Sequence, residues 1–367
     1  METGVQINTF YVSQKISKIR WIPEPLGPPK KFITGSWDNA GKNAIKLWKL
    51  VKNVYFKNEN EFVPKCADKF SVKEDITDVV IINSEKFLFS SDDGHVRLMH
   101  INDLKDDAQI IEQEKSETLH KNQFNKPSSC TGISVFDKSV ASIGEDGRVN
   151  ILNLNNLKKH YQLQQNDDSS LTALSFITLA ELLVANRMGI IKVLDTRTKN
   201  LNNPLNLIVS LENENRSNIA TSLCWHPTQK HIIFAGTEEG SITIWDLRQP
   251  NFPASYLSAH SSSITEINFD RSQHTKLYTT SENGEMWQWN QNSSLDLQLS
   301  STNLSDMSEI NPWLNGERTK SKINVTSVIS GVGKAINSFD AVNSKIICGC
   351  DSEAIYHIDN ILENNTN

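Results

Sequence analysis

The sequence predicts an all-β fold, a seven-bladed β-propeller in which the whole chain, residues 1–367, forms a single domain. Three observations predict it. A hairpin pattern recurs seven times, a further apolar strand precedes each copy, and the last copy lacks one strand that the N-terminus can supply. Because each blade of a propeller packs on its neighbours, one closed ring can use a chain of this length.

The hairpin pattern is clearest in "GTEEGSITIWDL" at 236–247, where acidic residues and a glycine precede alternating apolar and polar positions. Comparable pairs of strands lie at 32–50, 87–101, 140–154, 182–196, 232–247, 276–290 and 345–359. Five of the six intervals between matching positions are 42 to 53 residues, near the period of roughly 40 to 45 residues that is typical of four-stranded blades. The repeat therefore predicts blades rather than one isolated hairpin.

An apolar strand before each hairpin supplies the inner strand of each blade, for example "SKIRWIP" at 17–23 and "ITEINFD" at 264–270. Small and β-branched residues are frequent in these strands, as expected beside a crowded central channel. Outer, more polar strands follow the hairpins, but none follows the seventh. We expect residues 8–14, "NTFYVSQ", to pair beside "AIYHID" as the missing strand, which closes the ring and removes two sheet edges.

Residues 291–321 form an insertion in blade six that is rich in serine and asparagine. An apolar cluster within it is the candidate partner contact, formed by Met307, Ile310, Trp313 and Leu314. Polar sequence around a few large apolar side chains is typical of a binding segment, but an exposed tryptophan is costly. Packing of Trp313 on its own blade and contact with a partner are therefore both open. Residues 102–129 are similarly expected to combine an outer strand with a mobile connector whose charges face solvent.

Composition argues against several classes of function. The net charge is −6, the pI is near 5.9, and no block of lysine and arginine stands out, so direct nucleic-acid binding is disfavoured. No apolar run approaches the roughly 20 residues of a membrane helix, and the first residues lack the features of a secretory signal. We therefore expect a soluble intracellular protein without direct membrane insertion.

Residue types that carry catalysis or bind metals are scattered. The nine histidines are dispersed, and the HExxH, GxSxG and glycine-rich phosphate-loop motifs do not occur. Cys348 and Cys350 lie in one strand-like run without a histidine or cysteine cluster, so we expect buried thiols and not a metal or redox pair. The sequence predicts no enzymatic activity and no cofactor, and a ring without a reactive site is most simply a rigid platform for protein interactions.

Several positions resemble the WD-repeat family of β-propellers. "IWDL" at 244–247 matches the end of the family's third strand, and Asp38, Asp93 and Asp146 fit its turn aspartate. The resemblance implies a hydrogen-bonded tetrad of structural side chains, which is nearly present once, as His260, Thr279, Asn283 and Trp289. Elsewhere the tetrad is incomplete, so apolar packing is expected to hold most blades together.

Longer strings, "YVSQKISKIRWIP", "TGSWDNAGKNAIKLW", "SIGEDGRVNI" and "CGCDSEAIYHI", resemble the nucleoporin forty-three family, small WD-repeat subunits of the Y-shaped nuclear pore scaffold. The resemblance implies a non-catalytic scaffold subunit, monomeric on its own, that docks on a helical-solenoid nucleoporin of the short arm of the Y and contacts other subunits. It implies a place in the nucleus, at the nuclear envelope and nuclear pore, and at kinetochores in dividing cells. Support of protein and mRNA transport follows from the same resemblance.

An alternative function is that of a substrate receptor of a cullin-RING ubiquitin ligase, because such receptors resemble this chain at "WDLR" and, less closely, at "LDTR". In that case Asp195, Arg197, Asp246 and Arg248 would face the ligase adaptor. The simpler interpretation is that an aspartate and an arginine two residues apart tie down the loop that follows a strand. Motifs of this length have a large false-positive risk, so we favour loop structure.

Overall fold

The structure, a computed structural model, describes residues 6–25, 27–52, 62–104, 107–163, 169–197, 205–209, 218–291, 311–315 and 322–359. In these residues the chain forms seven antiparallel sheets of four strands each and one short 3-10 turn, Pro312–Leu314. The inner strand of each blade contacts the inner strand of the next, and the last blade contacts the first. This arrangement confirms the seven-bladed β-propeller.

The strands follow the same order in every blade, from the inner strand at the central channel to the outer strand at the rim. Blade one consists of β2 (Ile16–Trp21), β3 (Lys31–Ser36), β4 (Asn43–Lys52) and β5 (Phe62–Val72), and blade two of β6 (Ile76–Ile81), β7 (Lys86–Ser91), β8 (Val96–Leu104) and β9 (Asp107–Lys115). Blade three consists of β10 (Cys130–Phe136), β11 (Ser139–Gly144), β12 (Val149–Asn153) and β13 (Lys159–Leu163), and blade four of β14 (Leu171–Phe176), β15 (Glu181–Asn186), β16 (Ile190–Asp195) and β17 (Leu205–Ile208).

Blades five to seven continue this order, and the last of them combines the two ends of the described chain. Blade five consists of β18 (Ala220–Trp225), β19 (Ile232–Thr237), β20 (Ser241–Asp246) and β21 (Ser255–Ser258), and blade six of β22 (Ile264–Phe269), β23 (Lys276–Ser281), β24 (Glu285–Gln291) and β25 (Ile323–Ser330). Blade seven consists of β26 (Ile336–Val342), β27 (Lys345–Cys350), β28 (Ala354–Asp359) and β1 (Gln6–Tyr11).

The antiparallel order places the loops at two ends of the ring. Loops between the second and third strands, and those leading from an outer strand into the next blade, lie at one end, which we call the upper face. Loops between the first and second and between the third and fourth strands lie at the other end, the lower face. The insertion between β24 and β25 therefore starts and ends at the lower face.

Ring closure by the N-terminal strand is confirmed, with a shift of its limits. The strand β1 pairs antiparallel with β28, from Gln6 opposite Asp359 to Tyr11 opposite Ala354. It thus begins and ends earlier than the predicted residues 8–14. The end is set by Ser13, whose φ of 56° turns the chain out of the extended conformation toward the first inner strand.

Hydrogen bonds between neighbouring inner strands link the blades at six of the seven junctions. In six blades the side chain of the second residue of the inner strand donates to the carbonyl of the first residue of the next inner strand. The donor and acceptor residues are Thr77 and Cys130, Thr131 and Leu171, Thr172 and Ala220, Thr221 and Ile264, Thr265 and Ile336, and Asn337 and Ile16. Threonine is therefore frequent in these strands because it links blades, and not only because the channel is crowded.

The apolar core lies between neighbouring blades. At the closure, Trp21 and Phe32 of blade one pack in one buried cluster with Ile355 of blade seven. The two aromatic rings meet edge to face with centroids 5.5 Å apart. Because every blade shares its apolar side chains with the next one, removing one blade or strand exposes the core of its neighbour.

Candidate functional site

A serine, a histidine and an aspartate are aligned in blade three. His120 Nδ1 lies 2.8 Å from Asp146 Oδ1, and His120 Nε2 lies 3.0 Å from Ser142 Oγ. Hydrolytic triads have the same order of groups, but a nucleophile must reach its substrate. Ser142 and His120 are completely buried, and Asp146 also accepts the backbone N–H of Lys121 at 3.0 Å. The group is structural: it fixes the loop that leads into blade three.

This buried group is a structural network of the kind expected only in blade six, and sequence reasoning missed it. The signal was partly present, because Asp146 occupies the expected turn position. The network lacks the tryptophan of the predicted tetrad, because Leu152 stands where blade six has Trp289.

The tetrad predicted in blade six needs one correction. His260 Nε2 lies 2.9 Å from Thr279 Oγ1, and Trp289 Nε1 donates to the same oxygen at 3.1 Å. The predicted fourth member, Asn283, does not reach the histidine. Glu285 takes that place, with its Oε2 3.0 Å from His260 Nδ1.

The path of the turn explains the replacement. Asn283 lies at its tip, where its backbone N–H donates to Ser262 Oγ and its side-chain amide donates to Ser261 Oγ, both at 3.0 Å. Glu285 begins the next strand, and its longer side chain extends back to the histidine. A carboxylate is also a stronger acceptor than an amide oxygen.

The two Asp-x-Arg sequences form matching turns at the lower face. Arg197 donates from its backbone and from Nε to Asp195 Oδ1, at 2.9 and 3.0 Å. Arg248 makes the same pair of bonds to Asp246 Oδ1, at 2.9 and 3.0 Å. The bonds favour the interpretation that each pair ties down its own loop, although 75% and 59% of the two arginine side chains stay exposed.

The structure places Trp313 in the interior, against its proposed role in partner contact. Its side chain is completely buried and meets the ring of Phe234 edge to face with centroids 5.2 Å apart. Phe269 packs beside Phe234, and its ring centroid lies 6.4 Å from that of Trp313. This segment thus places a tryptophan side chain between blades five and six. Leu314 packs partly against the same cluster, and Met307 and Ile310 lie outside the described residues.

A turn of blade five holds this segment in place. Asn311 precedes Trp313 and accepts its backbone N–H at 2.9 Å, while the Asn311 amide donates to Gln229 Oε1 at 2.8 Å. The turn around Gln229 is organised by His226, whose Nδ1 accepts the backbone N–H groups of Thr228 and Gln229, each at 3.3 Å. Because Nδ1 acts as an acceptor, the imidazole must be neutral in this arrangement.

This histidine predicts a pH-dependent stability. Burial, with smaller contributions from the nearby His274 and His231, lowers the pKa of His226 to about 4. The unfolded state has the ordinary value of about 6.5, so it binds more protons between the two values, and the free energy of unfolding falls as pH drops through that window. We expect His226→Asn to lessen the fall by about 1–3 kcal/mol, in urea titrations at pH 7 and pH 4.5.

A matched control for this measurement is His160→Asn, which changes an exposed histidine of blade three. It should leave the pH dependence as it is in the unaltered chain. An equal pH dependence of the His226→Asn variant and the unaltered chain would contradict a neutral buried His226.

The central channel has a volume of about 550 Å³ and is lined by inner-strand residues. Two of its charged side chains join blades: Arg20 Nη2 and Glu266 Oε1 are 2.7 Å apart, Arg20 Nη1 donates to Phe339 O at 3.0 Å, and Glu266 Oε2 accepts the N–H of Phe339 at 3.0 Å. An ion pair with these bonds links blades one, six and seven. These charges are therefore occupied by structural contacts.

The cysteine pair in blade seven is packed against blade six, in one buried cluster with Tyr278 and Met286. Cys348 and Cys350 are buried, and burial raises the pKa of the Cys348 thiol well above its usual value. A Cβ on Gly349 between them would lie 2.3 Å from Ile16 Cγ2, so the small residue permits close approach of the first blade.

Across the described ranges, no group of three or more histidine, cysteine, aspartate or glutamate residues could hold a metal ion. Likewise, the described part of the chain has no helix long and apolar enough to cross a membrane.

Comparisons with known proteins agree with this architecture. The family model described as nucleolar protein 10-like, N-terminal domain, matches residues 80–333. Human nucleoporin Nup43 is 30% identical over 96% of this chain and 98% of its own length, and the mouse protein is 29% identical over the same shares. The nuclear pore complex protein nup43 of Dictyostelium discoideum is 29% identical over 44% of this chain and 37% of its own length.

Proposed function

The chain belongs to the nucleoporin Nup43 family, and from this premise we propose a function as a non-catalytic scaffold subunit of the nuclear pore complex. The family places it among nuclear pore proteins. Beyond that, we propose that the propeller docks on a helical-solenoid nucleoporin of the short arm of the Y-shaped scaffold, at the nuclear envelope, and supports transport of protein and mRNA. Association with kinetochores stays a prediction of the resemblance.

The observation that carries this proposal is the extent of the match with human Nup43, which spans 98% of that protein. The aligned region contains all seven blades. Any shared role must therefore be performed by the surface of the propeller. In this chain the side chains that resemble catalytic groups are buried and bonded within blades, which favours an interaction platform.

Affinity purification of the tagged full chain, followed by identification of the co-purifying proteins, tests the proposal. We expect the subunits of the Y-shaped scaffold in fixed proportion to the chain, and direct binding to one solenoid subunit when each is purified singly. Recovery of a cullin adaptor without scaffold subunits would contradict the proposal and favour the ligase alternative.

The exposed arginines of the Asp-x-Arg turns separate the two functions. We expect the double variant Arg197→Ala with Arg248→Ala to keep its nuclear pore localisation and nearly the same melting temperature, because exposed ion pairs contribute little to stability. Fluorescence imaging of the tagged protein and a thermal melt measure the two quantities. Arg148→Ala, on the upper face, is the matched control. Adaptor binding by the unaltered chain that only the double variant loses would support the ligase function instead.

A further inference from the structure

The loop between β9 and β10 contains an ordered turn with an aromatic side chain at its tip. We call residues 121–127 the Phe124 loop. Lys121 and Pro127 form a β-bridge at its base, and the Asn122 N–H donates to Lys126 O at 2.9 Å. Asn122 Oδ1 accepts the N–H groups of Phe124 and Lys126, at 2.9 and 3.1 Å. These bonds correct the expectation of a mobile connector within residues 102–129.

The base of the Phe124 loop is fixed to the interior of blade three. Lys121 donates its N–H to Asp146 Oδ2 at 3.0 Å, and Ser128 donates its N–H to the carbonyl of His120 at 3.1 Å. His120 itself is completely buried and bonded to Asp146. The buried histidine and aspartate therefore hold the loop in one orientation on the upper face.

Phe124 is 81% exposed, more than any other large apolar side chain in the described part of the chain. The hydrogen bonds of the turn use the backbone and Asn122, so they do not require an aromatic residue at the tip. Lys121 and Lys126 on either side are also exposed, and no acidic residue lies between them. A rigid aromatic tip with cationic flanks has the properties of an interface anchor.

We propose that the Phe124 loop inserts into an apolar pocket of the solenoid partner, and that the pocket is bordered by carboxylates. The inference rests on the proposed function and assigns it a contact on the upper face. Charge complementarity selects the occupant, because the two lysines disfavour a basic surface and favour an acidic rim. The loop is ordered before binding, so docking costs little conformational entropy. Met188, on a turn of blade four, is a second exposed apolar side chain on this face.

The test is calorimetric binding of the full chain to the purified solenoid nucleoporin that co-purifies with it. We expect Phe124→Ala to weaken binding by about 10- to 100-fold without lowering the melting temperature, because the side chain is exposed. The double variant Lys121→Glu with Lys126→Glu should weaken binding more at low salt than at high salt. The matched control is Phe252→Ala, which removes a phenylalanine that is 70% exposed on the lower face and should bind normally.

Each other outcome overturns the inference in a distinct way. Normal binding by Phe124→Ala would reject the anchor and leave the proposed function standing. Absence of binding by the unaltered chain to every solenoid subunit would reject both. A large fall in the melting temperature of Phe124→Ala would show that another segment of this chain covers the side chain. Self-association that light scattering detects and Phe124→Ala abolishes would identify a second copy as the occupant.

Discussion

A chain without residues 1–14 is expected to melt about 10 °C or more below the full chain, or to aggregate. The deletion removes β1, which leaves the outer edge of β28 unpaired over six residues. The unpaired edge then presents free N–H and C=O groups and exposes the shared core between blades one and seven, to which Val12 contributes. With an unfolding entropy of roughly 2.1 cal/mol/K per residue, a fall of 10 °C in a chain of 367 residues corresponds to a loss of about 8 kcal/mol.

Two controls sharpen this prediction. Removal of residues 1–5, which precede β1, should leave the melting temperature within a few degrees of that of the full chain. A synthetic peptide of residues 6–14, added to the truncated chain, should raise its melting temperature with the logarithm of peptide concentration above Kd, since it binds only the folded state. A truncated chain as stable as the full one would show that closure does not depend on β1.

The blades could be predicted from sequence because each hairpin contains its own signal. The alternation of apolar and polar residues and the turn residues between them are local, and they recurred at a near-constant spacing. The missing strand was predictable because an outer strand follows each of the other hairpins and none follows the seventh. Its limits did not, because the end of β1 depends on the conformation of Ser13, which the sequence pattern does not reveal.

The side-chain networks were harder to predict because several partners compete for one position. In blade six both Asn283 and Glu285 lie near the histidine in sequence, and the path of the turn decides between them. In blade three the loop before β10 brings His120 beside Asp146 from 26 residues away. Such contacts depend on loop geometry, which a repeat alignment does not contain.

The predicted sites differ in how far the sequence could decide them. Asp195 and Arg197 are two residues apart, so their contact within one turn is a local property. The location of Trp313 depends on residues distant in sequence, because its pocket is formed by Phe234 and Phe269, which lie on two other strands. The sequence is compatible both with packing of the tryptophan on its own blade and with contact to a partner, and it does not decide between them.

Trp313→Ala is expected to lower the free energy of unfolding by about 3–5 kcal/mol, the cost of truncating a large, fully buried aromatic side chain. The change leaves a cavity between blades five and six where Phe234 and Phe269 lose their edge-to-face neighbour. Urea denaturation measures the loss, with unfolding monitored by circular dichroism of the backbone, since the variant lacks one of the tryptophans that fluorescence would report.

A conservative variant tests whether the aromatic contact is the cause. Trp313→Phe retains a ring against Phe234 and removes the indole N–H, which has no hydrogen-bond partner among the described residues. We expect it to lose less than half as much stability as Trp313→Ala. Deletion of residues 295–318 removes the whole segment and should destabilise the chain at least as much as the alanine variant. If Trp313→Ala unfolds at the same urea concentration as the unaltered chain but binds the solenoid partner more weakly, the buried location of Trp313 is wrong and the partner contact is restored.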